Sequence, residues 1–131
     1  MPNTDFQVHD GLLVVQQTSE GERLRVALNG ELDLANAETP AAVMREALIS
    51  GKSVVVDLTK LEFLDSTGIA MLVNAMQEGG ERLSFLPSQH AAVTRLLNLT
   101  GLDERMTFAP AATLSATAAE DAGAESLLPA A

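Results

Sequence analysis

The stretch LEFLDSTGIAMLVNAM, residues 61–76, joins two kinds of hydrophobic pattern, and the junction decides the fold. Upstream, SVVVDL at 53–58 is a short, continuous β-branched run, as in strands buried on both faces of a parallel sheet. Downstream of Asp65, the residues Ile69, Leu72, Val73 and Met76 recur at i, i+3, i+4 and i+7. That spacing predicts one apolar helix face, and Gly79 and Gly80 end the helix. A strand ending at about Leu61 and a helix starting at Asp65 form a β–α unit, with 53–58 as the central strand of the sheet.

Working outward, residues 12–17 (LLVVQQ) and 23–29 (RLRVALN) read as two strands of a hairpin, joined by Thr18, Ser19, Glu20 and Gly21 as a turn. Between them and the central strand lies AAVMREALISG, where Val43, Met44, Ala47 and Leu48 share a helical face and Gly51 follows the end. Its start is set either by Thr39 as cap with Pro40 as first helical residue, or a turn earlier by Asn36. A helix between two strands implies a right-handed crossover. Beyond Gly80 the pattern predicts a strand at 82–86, a break at Pro87 and a third helix capped by Ser88. That helix carries Ala92, Val93, Leu96 and Leu97 on its apolar face and ends at Gly101. A last short strand spans 105–108.

The class is α/β, with a mixed sheet. From Ala109 the composition turns Ala-rich and acidic without a sustained period, which predicts a disordered tail over 109–131. A frayed Ala-rich helix over 112–127 is the other reading of that segment.

With 131 residues, the chain suits one domain plus this tail. A formal charge of −10, from 8 Lys and Arg against 18 Asp and Glu, opposes the phosphate attraction behind most nucleic-acid binding. Direct nucleic-acid binding is therefore not expected. Zero cysteines exclude disulfides, thiol catalysis and Cys-ligated zinc, and fit a reducing cytoplasm. The opening MPNTDFQVHDG has no export-signal pattern, and no later run is apolar enough to span a bilayer. Four Phe, with no Trp or Tyr, leave no material for a stacking platform.

Four residues at the junction could carry chemistry. Asp65 is a suitable N-cap, since its carboxylate can accept backbone N–H bonds and its charge suits the positive end of the helix dipole. Ser66 and Thr67 follow in the first turn, at the rim of the sheet. Gly68 removes a side chain and permits close approach by another backbone. A phosphate on Ser66 would add roughly 1.5 to 2 negative charges at pH 7. The helix start tolerates that charge, whereas a partner docked on the rim would meet new bulk and desolvation cost. The same four residues also cap helices and make turns without any switch.

Three segments in order, GELDLANAE (30–38), VVVDLTKLEFLDSTGIAML (54–72) and AAVTRLLNLTGLDERMTF (91–108), resemble the STAS domain family, specifically the single-domain bacterial anti-sigma factor antagonists. The resemblance covers roughly residues 10–108, and the domain is expected over 1–108. It implies a mixed sheet with helices mainly on one face and a protein without catalytic residues, cofactor or metal. The implied partner is an anti-sigma factor with serine kinase activity, captured so that the sigma factor is freed. Phosphorylation of Ser66, with Thr67 as fallback, releases the partner until a serine phosphatase restores binding. The partner-binding set implied is Asp33, Asp65, Ser66, Thr67, Gly68 and Ile69. Asp33 matches an acidic position on the partner-facing surface, and as a turn cap it has an equal local explanation. Asp57 matches another recurring acid, expected to support the rim by hydrogen bonding.

Two other classes compete. A small STAS subunit of a lipid-transport ABC complex would bind its ATPase permanently, without phosphorylation. A metal enzyme would gather Asp33, Asp57 and Asp65 around a divalent cation, but His9 and His90 are remote from these motifs and no phosphate-cradling P-loop is present.

Overall fold

The structure, a computed structural model, describes residues 5–110. The strands are β1 (Phe6–Asp10), β2 (Leu13–Glu20), β3 (Arg23–Leu32), β4 (Ser53–Asp57), β5 (Leu61–Leu64) and β6 (Leu83–Leu86). The helices are α1 (Glu38–Ile49), α2 (Ser66–Gly79) and α3 (Ala91–Leu99). They form one mixed sheet in the order β1-β2-β3-β4-β6, with β5 attached to β3 outside that path. β1, β2 and β3 run antiparallel in sequence, while β4 and β5 lie parallel to β3 and β6 parallel to β4.

β3 is the organising strand. Its first half, Arg23–Ala27, pairs with β4, and its last three residues, Gly30–Leu32, pair with β5. The sheet divides between Ala27 and Gly30, and the register with β5 shifts between Gly30 and Glu31. The run at 53–58, expected at the centre, is interior between β3 and β6, but the sheet turns on β3.

Alternation along the strands sorts the faces. Leu24, Val26 and Leu28 of β3, Val54 and Val56 of β4, and Leu83 and Phe85 of β6 join Met44 and Leu48 of α1 and Leu72 and Ala75 of α2 in one buried cluster. Val93 and Leu97 of α3 belong to the same cluster. The alternate residues Arg25, Ala27, Val55 and Asp57 are buried outside it. Helix α2 lies where the i, i+3, i+4, i+7 spacing predicts, although Ile69, Val73 and Met76 only flank the core and its buried residues are Gly68, Met71, Leu72, Ala75 and Gly79.

Several boundaries differ from expectation. Thr18, Ser19 and Glu20 are not a turn but the end of β2, paired with Arg25, Leu24 and Arg23, so the reversal is confined to Gly21 and Glu22. Helix α1 is capped by the backbone of Ala37 with no side-chain cap, which leaves Thr39 and Pro40 inside its first turn. The strand expected to end at about Leu61 instead begins there, because β5 pairs with the divided end of β3. The expected strand at 105–108 shrinks to a single bridge between Phe108 and Phe85, since Leu102–Glu104 form a 3₁₀ turn that takes up the chain before it. Ala109 still donates its N–H to the Phe85 carbonyl, so ordered pairing continues past the expected domain end at 108. The tail expected from 109 lies, from residue 111 onward, outside the described residues. Among the described residues no helix is long and apolar enough to cross a membrane.

Candidate functional site

The rim at the end of β3 is built around two connections, the β3–α1 loop and the β5–α2 junction. β3 passes its bulge and enters a loop, in which Asp33 Oδ1 accepts from Ala35 N at 3.0 Å and Asn36 Oδ1 accepts from Asp33 N at 3.0 Å. These are local side-chain turns of the kind Asp and Asn make readily. Asn36 is buried and also donates through Nδ2 to the Glu31 carbonyl at 3.0 Å and to the Asp10 carbonyl at 3.4 Å. It thus closes the loop rather than capping α1.

The second connection is β5 to α2. Asp65 is extended (φ −109°, ψ −173°), and its Oδ1 accepts from the Gly68 N–H at 3.1 Å, three residues into the helix. Its Oδ2 accepts from Leu34 N at 3.2 Å, across to the β3–α1 loop. One carboxylate therefore starts the helix and fastens the loop beside it. Ser66, first in the helix, is exposed, and Thr67 is half-buried.

Gly68 does something other than expected. It is buried, and a Cβ there would overlap the Leu64 side chain and come 3.0 Å from Leu32 Cγ. The close approach that Gly68 permits is therefore to leucines of its own β3 and β5. Ile69 is half-buried against the core.

Asp57 lies apart from this rim, at the end of β4 in a buried ionic triad. Arg25 Nη1 donates to Asp57 Oδ2 at 3.0 Å and Arg25 Nε to Glu20 Oε2 at 2.7 Å. Burial pulls the Arg25 guanidinium toward deprotonation, but hydrogen bonding and charge from Glu20, then from Asp57, outweigh it and hold Arg25 above its usual range. Asp57 Oδ1 accepts from both the N–H and the hydroxyl of Thr59, at 2.9 and 2.6 Å. It anchors the start of the β4–β5 connection.

The structure brings the Asp33 loop, Asp65, Ser66 and Thr67 together, and separates Asp57 from them. Asp33, Asp57 and Asp65 do not form one cluster, and no group of three metal-capable side chains occurs among the described residues. Two residues at the rim were not singled out from sequence: Leu34 and Leu12. Leu34 lies beyond the strand expected over 23–29, and the Asp33–Asn36 turn that follows β3 carries it to the surface. Leu12 reads as the first residue of a strand, yet it occupies the turn between β1 and β2. The Asp10-Gly11 pair, a frequent hairpin turn, was the available signal.

A mixed sheet that divides at one strand, with a capped helix springing from the divided edge, is the architecture of a STAS domain. The sequence matches the family described as "Mlab, STAS domain" over residues 15–114, and the chain belongs to that family. Among solved structures, an anti-sigma factor antagonist from Mycobacterium paratuberculosis superposes with a TM-score of 0.70 at 23% identity, over 81% of this chain and 92% of that one. The anti-sigma factor antagonist SpoIIAA in its unphosphorylated form gives 0.60 at 22% identity, over 73% and 88%. The Bacillus cell fate determinant SpoIIAA in its phosphorylated form gives 0.57 at 22% identity, over 79% and 98%. These likenesses establish the shared fold. No curated protein matches the sequence.

Proposed function

We propose that the chain is an anti-sigma factor antagonist that works by binding, with Ser66 as its switch. Its partner is an anti-sigma factor with serine kinase activity, which it captures to free the sigma factor. The kinase transfers the γ-phosphoryl group of ATP to Ser66 Oγ, leaving ADP and a modified protein that lets go. A serine phosphatase restores the binding form. Asp33, Asp65, Thr67 and Ile69 frame the contact around Ser66, and Gly68 contributes by seating the helix.

One observation carries this reading: the exposed Ser66 hydroxyl directly follows a carboxylate that holds both the helix start and the neighbouring loop. A phosphate added there changes charge and bulk at the rim while the core stays closed. The free N–H groups of the first helical turn favour an anion at that point. Further support comes from the fold shared with antagonists, one of which has been solved both with and without phosphate.

The family description names no anti-sigma partner, which keeps a second reading in the test. In it the chain is the STAS subunit of a lipid-transport ABC complex and binds the ATPase without phosphorylation. The discriminating experiment incubates the full chain with ATP and each anti-sigma serine kinase of its own organism, then maps phosphate by peptide mass spectrometry. A single phosphate on Ser66 is expected. No phosphate on Ser66 or Thr67, together with stable copurification with a transporter ATPase, would select the second reading.

A further inference from the structure

Two leucines stand at the rim where the core has no use for them. Leu12, in the β1–β2 turn, is 70% exposed, and Leu34, in the β3–α1 loop, is 77% exposed. Single exposed leucines are ordinary, but these two are distinguished by how firmly their backbones are held.

The Leu12 carbonyl accepts from Glu31 N at 3.0 Å. A Cβ at Gly30 would overlap that same carbonyl oxygen, and Gly30 has φ +110°, so the turn meets the bulge of β3 at a point only glycine allows. Asp10, two residues earlier, accepts from Asn36 Nδ2 through its carbonyl and from the Thr39 hydroxyl through its side chain. The Leu34 N–H is bonded to Asp65. Both leucines therefore ride on one hydrogen-bonded frame that includes the cap of α2. Their backbones lose little freedom on binding, which is the condition under which a small apolar contact contributes its full affinity.

The frame is also acidic. Asp10, Glu31, Asp33 and Asp65 belong to it, with Lys60, whose carbonyl accepts from Gly30 N, as its base. Such a rim favours a basic partner surface and suppresses acidic ones.

We infer that Leu12 and Leu34 are the apolar anchors of the partner interface, and that the occupant is the anti-sigma kinase presenting a basic surface with an apolar cleft. This rests on the function proposed above. The two anchors divide the work. Leu34 is bonded to the residue preceding Ser66, so a phosphate contests the space its partner needs. Leu12 sits across the loop and holds its contact independently of the switch.

The test uses the kinase that modifies Ser66 in the assay above as its probe. Binding of that kinase is measured by titration calorimetry for the full chain and for Leu12→Ser, Leu34→Ser and Ile49→Ser. Ile49 is an exposed residue at the far end of α1 and serves as control. Each leucine variant should bind roughly tenfold more weakly, with an unchanged melting temperature. Ile49→Ser should bind as the parent does, and added salt should weaken the parent complex. Hydrogen exchange on the parent complex should show protection at residues 10–13 and 33–35. Unchanged affinity for both leucine variants, or no protection at either segment, overturns the inference while leaving Ser66 phosphorylation in place. If no kinase modifies Ser66, both this inference and the function beneath it fall.

Discussion

The Leu34 N–H donates to Asp65 Oδ2 at 3.2 Å, joining the loop after β3 to the cap of α2. Since the other Asp65 oxygen holds Gly68 N at 3.1 Å, the two roles of the carboxylate can be separated by substitution. Asparagine caps helices about as well as aspartate, but its amide end cannot accept from Leu34. Asp65→Asn should therefore keep the helix start and release the loop, seen as faster exchange of the Leu34 amide at a cost of about 1 kcal/mol. Asp65→Ala loses both bonds and should cost about 2 kcal/mol in denaturant unfolding. Equal exchange of the Leu34 amide in parent and Asp65→Asn would dissociate the loop from the cap.

Gly68 sets how closely α2 lies on the sheet. An added methyl would overlap Leu64 and crowd Leu32. Overpacking of this kind costs about 1–3 kcal/mol, against a gain of roughly 1 kcal/mol in helix propensity from glycine to alanine. Gly68→Ala should be net destabilising, and most of that cost should vanish in a Leu64→Ala background, because the overlapping atoms are gone. An additive double-mutant cycle would show that the methyl finds room elsewhere.

The sequence was most legible where pattern and chemistry agree over a short distance. The β-branched run at 54–56, the apolar spacing through α2 and the Asp65 cap need only local information. β1 was not legible, because FQVHD has just two apolar residues and pairs with β2 through the backbone of a polar edge strand. β5 was merged with what precedes it, since nothing in LEFL marks the point where β3 exchanges one neighbour for another. Gly68 looked available to a partner because a glycine in a capping motif gives no sign of the leucines beneath it. Arg25 shows only as one of the two polar residues, with Arg23, in the alternation RLRV. Its partner Asp57 is 32 residues away, and only the parallel pairing of β3 with β4 brings them together.

That buried triad should resist alkali and be intolerant of losing its cation. Arg25→Met leaves the buried Asp57 carboxylate without its cation, while Glu20 keeps its 3.4 Å pairing with Arg23, and breaking a buried ion pair from one side costs about 3–5 kcal/mol. Because the folded-state pKa of Arg25 is raised, its contribution is fully present below the unfolded value and is lost only as pH rises through the higher folded one. The stability difference between parent and Arg25→Met should therefore stay constant between about pH 7 and about pH 10, both below the arginine range. A difference that shrinks within that window would mean that a group other than Arg25 supplies the stability.

Ser66 should control docking without controlling folding. Its side chain is exposed, so neither Ser66→Ala nor Ser66→Asp should move the unfolding free energy by more than about 0.5 kcal/mol. The negative charge of aspartate should be tolerated by the dipole of α2 in the same way as a phosphate. Against the anti-sigma kinase the two should diverge: Ser66→Ala should bind constitutively, lacking the acceptor oxygen, and Ser66→Asp should bind poorly, since the larger, charged side chain must be desolvated where the partner's apolar cleft seats Leu34. Aspartate has less charge and bulk than a phosphate, so the fully phosphorylated chain should bind more weakly still. If Ser66→Ala and Ser66→Asp bind the kinase with equal affinity, this hydroxyl does not gate the rim, and what Asp65 positions is only a helix.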